Sequence, residues 1–206
     1  MTQTITCFKA YDVRGRIPDQ LNEDIAYRIG RAYAEFLQPK KVVVGHDIRL
    51  SSPQICEALS KGLLDAGVNV SHIGQCGTEE IYFATSHLKM DGGIVVTASH
   101  NPKDYNGMKF VRENSKPISS DTGLEDIRAL AEEGVFSEPD NSGELQEVDV
   151  KDAYIEHLLS YIDPAVIKPL KIVCNAGNGG AGQIIDLLET HLPVEFIKVQ
   201  HEADGH

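Results

Sequence analysis

The sequence predicts an α/β fold with a parallel or mixed sheet. Three observations carry this. Strand-length apolar runs alternate with segments of helical periodicity along the chain. The runs Val42-Val43-Val44 and Ile94-Val95-Val96 are uninterrupted, as in strands buried on both faces. A polar, turn-rich stretch, Glu138-Pro-Asp-Asn-Ser-Gly143, then separates a longer first part from a shorter second one. The expected division is 1–145 and 146–206.

The elements follow in order. Asn22 is placed to cap a first helix, with Glu23 and Asp24 in the first turn, where the helix dipole favours negative charge. Ile25, Ile29, Ala32, Tyr33 and Phe36 recur along it at helical spacing. Lys41 to Gly45 reads as a buried strand. Ser52-Pro53 opens a second helix, with Pro at the first helical position; Ile55, Leu59 and Leu63 face inward, and the helix stops at Gly67. Strands are expected over 68–73 and 92–97, with a helix over 79–88 between them. Met108 to Val111 is expected as a short strand or hairpin arm, reached through an Asn106-Gly107 turn. Thr122-Gly-Leu-Glu125 has the spacing of a capping box before another helix. Past the linker the pattern gives a helix over 150–162, a strand over 171–174, a helix over 183–188 and a strand over 194–199. Two strands and one helix are too few to complete a second sheet domain, so that domain is expected to be incomplete and the chain to be cut off at His206.

Composition narrows the function. Lys and Arg number 19 against 31 Asp and Glu, a net charge of −12. This argues against nucleic acid as a main partner, because phosphate backbones are bound by clustered cations. A small phosphorylated ligand stays open, since it needs only two or three local cations. No stretch is long and apolar enough to span a membrane, and Met1 to Phe8 lacks the basic start and apolar run of a signal peptide. Cys7, Cys56, Cys76 and Cys174 are scattered and form no Cys-x-x-Cys pair, as expected of reduced thiols in a cytoplasmic protein. His72, His87, His157, His191, His201 and His206 show no metal-binding spacing and read as solvated or capping residues.

Four motifs carry chemistry. Thr97-Ala-Ser-His-Asn-Pro102 follows the apolar run Gly92 to Val96, so Ser99 stands where a buried strand gives way to a tight turn. No Gly-x-Ser-x-Gly elbow surrounds it, which disfavours hydrolase chemistry. A serine oxygen that carries a phosphoryl group fits better, with Lys103, Lys109 and Arg112 as candidate cations. Tyr11-Asp-Val-Arg-Gly15 sits in a loop-like stretch and offers the Arg14 fork to phosphate. Gly45-His-Asp-Ile-Arg-Leu-Ser51 leaves the first buried strand at its carboxyl end, where open α/β sheets build ligand crevices; His46 and Asp47 read as supporting the site, against the plain alternative of turn residues with Asp47 simply paired to Arg49. Gly177-x-Gly179-x-x-Gly182 lies between a strand and a helix, with Glu202 beyond the next strand, which is the pattern of a dinucleotide site. Tight strand–helix turns also need glycine.

The first three motifs, with Tyr105-Asn-Gly-Met-Lys109, occur in the order seen in the α-D-phosphohexomutases, and the chain resembles that family over essentially its whole length. The resemblance implies a first domain built as a mixed β-sheet sandwiched between helices; residues 171–182 resemble the opening of the family's second domain. It implies that Ser99 is phosphorylated at rest and gives its phosphoryl group to a hexose phosphate, forming a hexose 1,6-bisphosphate that turns over and returns the other phosphate. The expected net reaction interconverts mannose 6-phosphate and mannose 1-phosphate, feeding GDP-mannose, with glucose phosphates as the alternative. Ser99, His100, Lys109 and Arg14 match catalytic positions, with Lys109 a charge stabiliser and candidate proton carrier. Tyr11, Asn101, Asp47 and Arg49 match binding or supporting positions. The resemblance also implies a Mg2+ ion held through the phosphate on Ser99 and an Asp-rich loop, which these residues lack, and a hexose 1,6-bisphosphate activator. Without that loop the chain alone is expected to be inactive. Gly77-Thr-Glu-Glu80 departs from the Thr-Pro of many relatives, so Thr78 has no assigned role. A homodimer through an exposed second-domain surface is expected from the unpaired apolar elements. A catalytically silent sugar-phosphate-binding module and an NAD-dependent dehydrogenase built on Gly177 to Gly182 stay open as alternatives.

Overall fold

The computed structural model describes residues 4–205, so the readings that rest on Met1 and on His206 lie outside the described residues. The chain divides into two compact units between Val148 and Asp149.

The first unit holds strands β1 (Val13–Arg16), β2 (Lys41–His46), β3 (Asn69–Gln75), β4 (Gly92–Val96), β5 (Tyr105–Arg112), β6 (Lys116–Pro117) and β7 (Leu145–Glu147). Its helices are α1 (Glu23–Leu37), α2 (Ser52–Asp65), α3 (Thr78–His87) and α4 (Leu124–Glu133). The sheet runs β1-β5-β4-β2-β3-β7, with β6 beside β5. Strands β4, β2, β3 and β7 are parallel, whereas β5 runs antiparallel to both β4 and β1. This is the expected mixed sheet between helices.

Side-chain alternation assigns the faces. Val42, Val44, Ile94, Val96, Met108 and Phe110 join one core with Ile25, Ile29 and Tyr33 of α1, Leu59 and Leu63 of α2, and Ile127 of α4. The intervening residues therefore point to the other face, where α3 packs. A Cβ on Gly93 would meet Ile81 and Thr85 of α3. Asn22 caps α1 as expected, its Oδ1 accepting the Ile25 amide at 3.0 Å.

Four local expectations are corrected. The Tyr11 to Gly15 stretch is loop only up to Asp12, because Val13–Arg16 pairs with β5. Strand β7 adds a seventh strand from the turn-rich linker and keeps residues up to Val148 with the first unit, beyond the boundary at 145. Asn106-Gly107 is not a turn but lies inside β5: the fully buried Asn106 amide donates to the hydroxyls of Ser51 and Ser52, at 2.8 and 2.9 Å. The helix-start box forms three residues earlier than Thr122/Glu125. The Ser119 amide donates to Thr122 Oγ1 at 2.7 Å in a 3-10 turn, and α4 then starts after Gly123 without a side-chain cap.

The second unit holds α5 (Lys151–Leu159), β8 (Leu170–Asn175), α6 (Ala181–Glu189) and β9 (Val194–Val199). Strands β8 and β9 pair in parallel as a two-stranded sheet with α6 as the connecting helix. Leu170, Ile172, Val173, Ile197 and Val199 are exposed on it. The glycine motif lies at the β8–α6 turn. There the Asn178 amide donates to the Gln200 carbonyl at 2.7 Å, and a Cβ on Gly182 would sit 2.3 Å from the His201 carbonyl. Close packing against His201 thus accounts for Gly182, and a left-handed backbone, φ +59°, accounts for Gly177.

Candidate functional site

The carboxyl ends of β2, β3 and β4 lie side by side. They release His46-Asp47, Cys76-Gly77 and Thr97-Ala98-Ser99 at one edge of the first unit. The Thr97 amide still bonds β5 through the Gly107 carbonyl at 2.9 Å, and Asp47 bonds β4 through the Val96 carbonyl at 2.9 Å. The turn therefore springs from a rigid base.

Ser99 is exposed and takes a left-handed backbone conformation, φ +52°. Such a conformation costs an ordinary L-residue about 1–2 kcal/mol and persists where the surroundings fix it. Here they do. The Ser99 amide donates to Thr97 Oγ1 at 2.9 Å, and the Asn101 amide donates to the Ala98 carbonyl at 3.0 Å. From outside, Arg49 grips the loop through four carbonyls. Its Nη2 donates to Ser99 at 2.9 Å and Asn101 at 2.6 Å, and its Nη1 donates to Pro102 at 2.7 Å and Tyr105 at 3.0 Å.

Asp47 anchors that arginine. Its carboxylate lies 3.4 Å from Arg49 Nε and accepts the Arg49 amide at 3.0 Å and the Ser52 hydroxyl at 2.5 Å. Asn106 ties the same hydroxyl to β5. Asp47, Arg49 and Asn101 are thus brought together, with Arg49 and the Asn101 carbonyl in direct contact. They form the frame of the Ser99 turn rather than a surface open to a ligand.

The cations come from the other side. In the β1–β5 register Arg14 faces Gly107, and Lys109 is the diagonal neighbour on the same face. Gly107 makes this possible: a Cβ there would lie 2.0 Å from the Val13 carbonyl and 3.1 Å from Arg14 Cδ. Arg14 crosses this gap and donates through Nη1 to the Thr97 carbonyl at 2.5 Å. Asp12 Oδ2 accepts Arg14 Nε at 3.1 Å and Lys109 Nζ at 3.2 Å. One carboxylate therefore holds both cations beside the base of the Ser99 turn. Asp12 also raises the phenol of the half-buried Tyr82, after burial itself and together with Glu79.

The remaining candidates divide. His100 is exposed, with Nδ1 3.4 Å from Ser99 Oγ. Tyr11 projects into solvent, 75 % exposed, in the loop before β1. Lys103 is exposed on the loop after the turn. Arg112 does not belong to the site: antiparallel pairing sets it opposite Gly92, at the far end of β4 from Ser99, where it pairs with Glu113. Thr78 is the first residue of α3, and the neighbouring Gly77 amide donates to Glu80 Oε2 at 2.7 Å. Asp12, Thr97 and Asn106 were not singled out by the sequence. Asp12 stands two residues before Arg14, a spacing that in a strand-edge loop can form a local pair.

Among the described residues, no group of three or more His, Cys, Asp or Glu side chains converges to hold a metal ion. A phosphate on Ser99 would supply one oxygen ligand, and the two carboxylates built into the site are already engaged, Asp12 by Arg14 and Lys109 and Asp47 by Arg49 and Ser52. These residues alone therefore do not fit a Mg2+ site.

The sequence model for "Phosphoglucomutase/phosphomannomutase, alpha/beta/alpha domain I" matches residues 6–138. The chain belongs to this family. A phosphomannomutase of Escherichia coli is 59% identical over 214 residues, covering 100% of this chain and 47% of that protein. A protein of Xanthomonas campestris described as phosphohexose mutases is 60% identical, covering 98% of this chain and 45% of its own length. Among solved structures, a phosphoglucomutase/phosphomannomutase family protein of Burkholderia thailandensis superposes with a TM-score of 0.89 at 36% identity, over 100% of this chain and 46% of that one. The chain spans about half the length of these family members. The family match covers the strands and loops that carry Ser99, Arg14, Lys109 and Arg49. The relatives that align over nearly the whole chain are described as mutases, which gives the NAD-dependent reading of Gly177 to Gly182 no support.

Proposed function

We propose that the first unit, up to Val148, forms the phosphoserine domain of a phosphohexomutase and the residues from Asp149 on the start of its second domain. Ser99 Oγ carries the phosphoryl group, and the net reaction interconverts mannose 6-phosphate and mannose 1-phosphate. The observation that carries this reading is the setting of Ser99: an exposed hydroxyl on a turn clamped by Arg49, with Arg14 and Lys109 gathered beside it. Phosphoryl transfer needs positioning and charge stabilisation more than covalent assistance. The Arg49 clamp fixes the oxygen, and the two cations offset the charge of a phosphoserine, about −1.5 to −2.

In the transfer step a hexose hydroxyl oxygen bonds to phosphorus as the bond from phosphorus to Ser99 Oγ breaks. The proton lost by the sugar is matched by the proton that Ser99 regains. His100, 3.4 Å from the oxygen, is placed to exchange that proton, and Lys109 stands as the charge stabiliser. Asn101 and Asp47 act through the clamp, and Tyr11 is free to meet the sugar. A hexose 1,6-bisphosphate then serves both as intermediate and as the compound that rephosphorylates a bare Ser99. A Mg2+ ion would neutralise the transferring phosphate; its carboxylate ligands would have to come from outside these residues. The partner is a small hexose phosphate. The exposed apolar residues of the second unit support a homodimer, and the four free thiols support a reducing cytoplasm.

The test is to incubate the full-length protein with isotopically labelled hexose 1,6-bisphosphate and map the label by peptide mass spectrometry. Label on Ser99, lost on addition of unlabelled mannose phosphate, is the expected result. Label elsewhere, or none with an intact fold, would refute the reading.

A further inference from the structure

The cation pair at the Ser99 turn is already occupied by an anion. Asp12 Oδ2 lies 3.1 Å from Arg14 Nε, 3.1 Å from Arg14 Nη2 and 3.2 Å from Lys109 Nζ. A phosphoryl group arriving at Ser99 must share these cations with a carboxylate that binds them first. The two cations are not held alike. Arg14 makes two bonds to Asp12 and a third to the Thr97 carbonyl, and its side chain is 12% exposed. Lys109 has Asp12 as its one ion-pair partner among the described residues, at the end of a flexible stem that is 28% exposed.

We propose that Asp12 is a positioning residue that parks Lys109 beside Arg14 while Ser99 is a free hydroxyl, and releases it to a phosphoryl group at the turn. Arg14 stays fixed on Asp12 and Thr97 throughout, and Lys109 is the cation that moves. The charge sum favours this exchange. Asp12, Arg14 and Lys109 together carry +1, enough to draw an anion yet not enough to trap a phosphorylated product. With Asp12 neutral the sum would be +2. The carboxylate would then set how readily phosphate leaves the site as well as where Lys109 waits.

This inference rests on the proposed role of Ser99 as phosphoryl carrier, but its test does not depend on turnover. Inorganic phosphate is titrated into the 206-residue protein and into Asp12→Asn, with binding followed by the ammonium resonance of Lys109 and the Nε–H resonance of Arg14. Removing a competing carboxylate at this range should tighten phosphate binding by about three- to tenfold. The gain should vanish in Asp12→Asn/Lys109→Met and be reversed in Asp12→Glu. A residue that merely holds the loop together would give the opposite sign, because a loosened site binds less. Unchanged or weaker binding in a folded Asp12→Asn overturns the proposal. Should that variant unfold, the wild-type titration decides alone. Phosphate must shift the Lys109 signal while leaving that of Arg14 in place; an unmoved Lys109, or equal movement of both, refutes the exchange. Failure of the labelling experiment on Ser99 would leave this phosphate result standing, so the two claims fail separately.

Discussion

Arg49 Nη2 lies 2.9 Å from the carbonyl oxygen of Ser99, and the same guanidinium reaches the carbonyls of Asn101, Pro102 and Tyr105. A guanidinium spent on four carbonyl dipoles binds no phosphate. It fixes the chain that presents the hydroxyl. Lysine cannot reproduce this fork, being a single point donor on a flexible stem. Arg49→Lys should therefore lower serine phosphorylation on the order of a hundredfold, since misplacement of about 1 Å carries that cost. The midpoint of urea unfolding and the labelling rate, measured on the same sample, should show a much larger loss in the second than in the first.

Ser99 itself gives an asymmetric prediction. Its φ of +52° suits glycine better than serine. Ser99→Gly should raise stability by about 0.5–1 kcal/mol while abolishing phosphorylation, as the left-handed conformation loses its Cβ penalty. Ser99→Ala keeps the Cβ and also loses phosphorylation, but without that gain. Parallel urea titrations of the two variants separate backbone strain from chemistry.

Gly107→Ala should be among the most damaging single changes. Its Cβ would meet the Val13 carbonyl at 2.0 Å and the Thr97 carbonyl at 2.9 Å. Both are backbone groups of paired or clamped segments, so β1 must move away and take Arg14 with it. A loss of about 3 kcal/mol or more is expected from overpacking at such a site. Amide exchange should show β1 opening while β2 and β4 remain protected.

The thiols give a pH dependence of fixed sign. Burial pushes Cys7 and Cys56 up to about 12. An unfolded thiol ionises near pH 8.5, so between that value and about 12 the unfolded chain binds fewer protons than the folded one. The contribution is complete below pH 8.5 and is lost as pH rises, at up to about 1.4 kcal/mol per pH unit for each thiol. Cys7→Ala/Cys56→Ala should flatten the fall in stability between pH 8.5 and 10.5, read from urea midpoints. At pH 8 a thiol reagent should label Cys174, the one cysteine that is not buried, ahead of the other three.

The sequence made the long elements readable because each carries many residues of one period. α1 has its cap and its apolar stripe, and β2 and β4 have unbroken valine and isoleucine. The short edge strands were not readable. Val13–Arg16 contains a glycine and two arginines, and Leu145–Glu147 is exposed along its length, so neither carries an apolar signature. Their pairing is decided by partners distant in the chain. Asn106-Gly107 imitates a turn for the same reason: its meaning depends on Ser51, Ser52 and Val13, none of which is local. In the candidate site, Ser99 and both cations are visible as residue types in ordered motifs. Asp12 and the true task of Arg49 are not, because a motif shows which residues are present and not which of them bind one another.

Strand β7 is only three residues long, yet it lies along β3 and is flanked by Glu144 and ends on Glu147. Without it, β3 would be a bare sheet margin, with free amides and carbonyls able to recruit the same margin of another molecule. A brief acidic selvedge at that place repels its own kind and offers too few groups to template a further strand. The last strand of the first unit therefore guards this one sheet margin against edge-to-edge pairing.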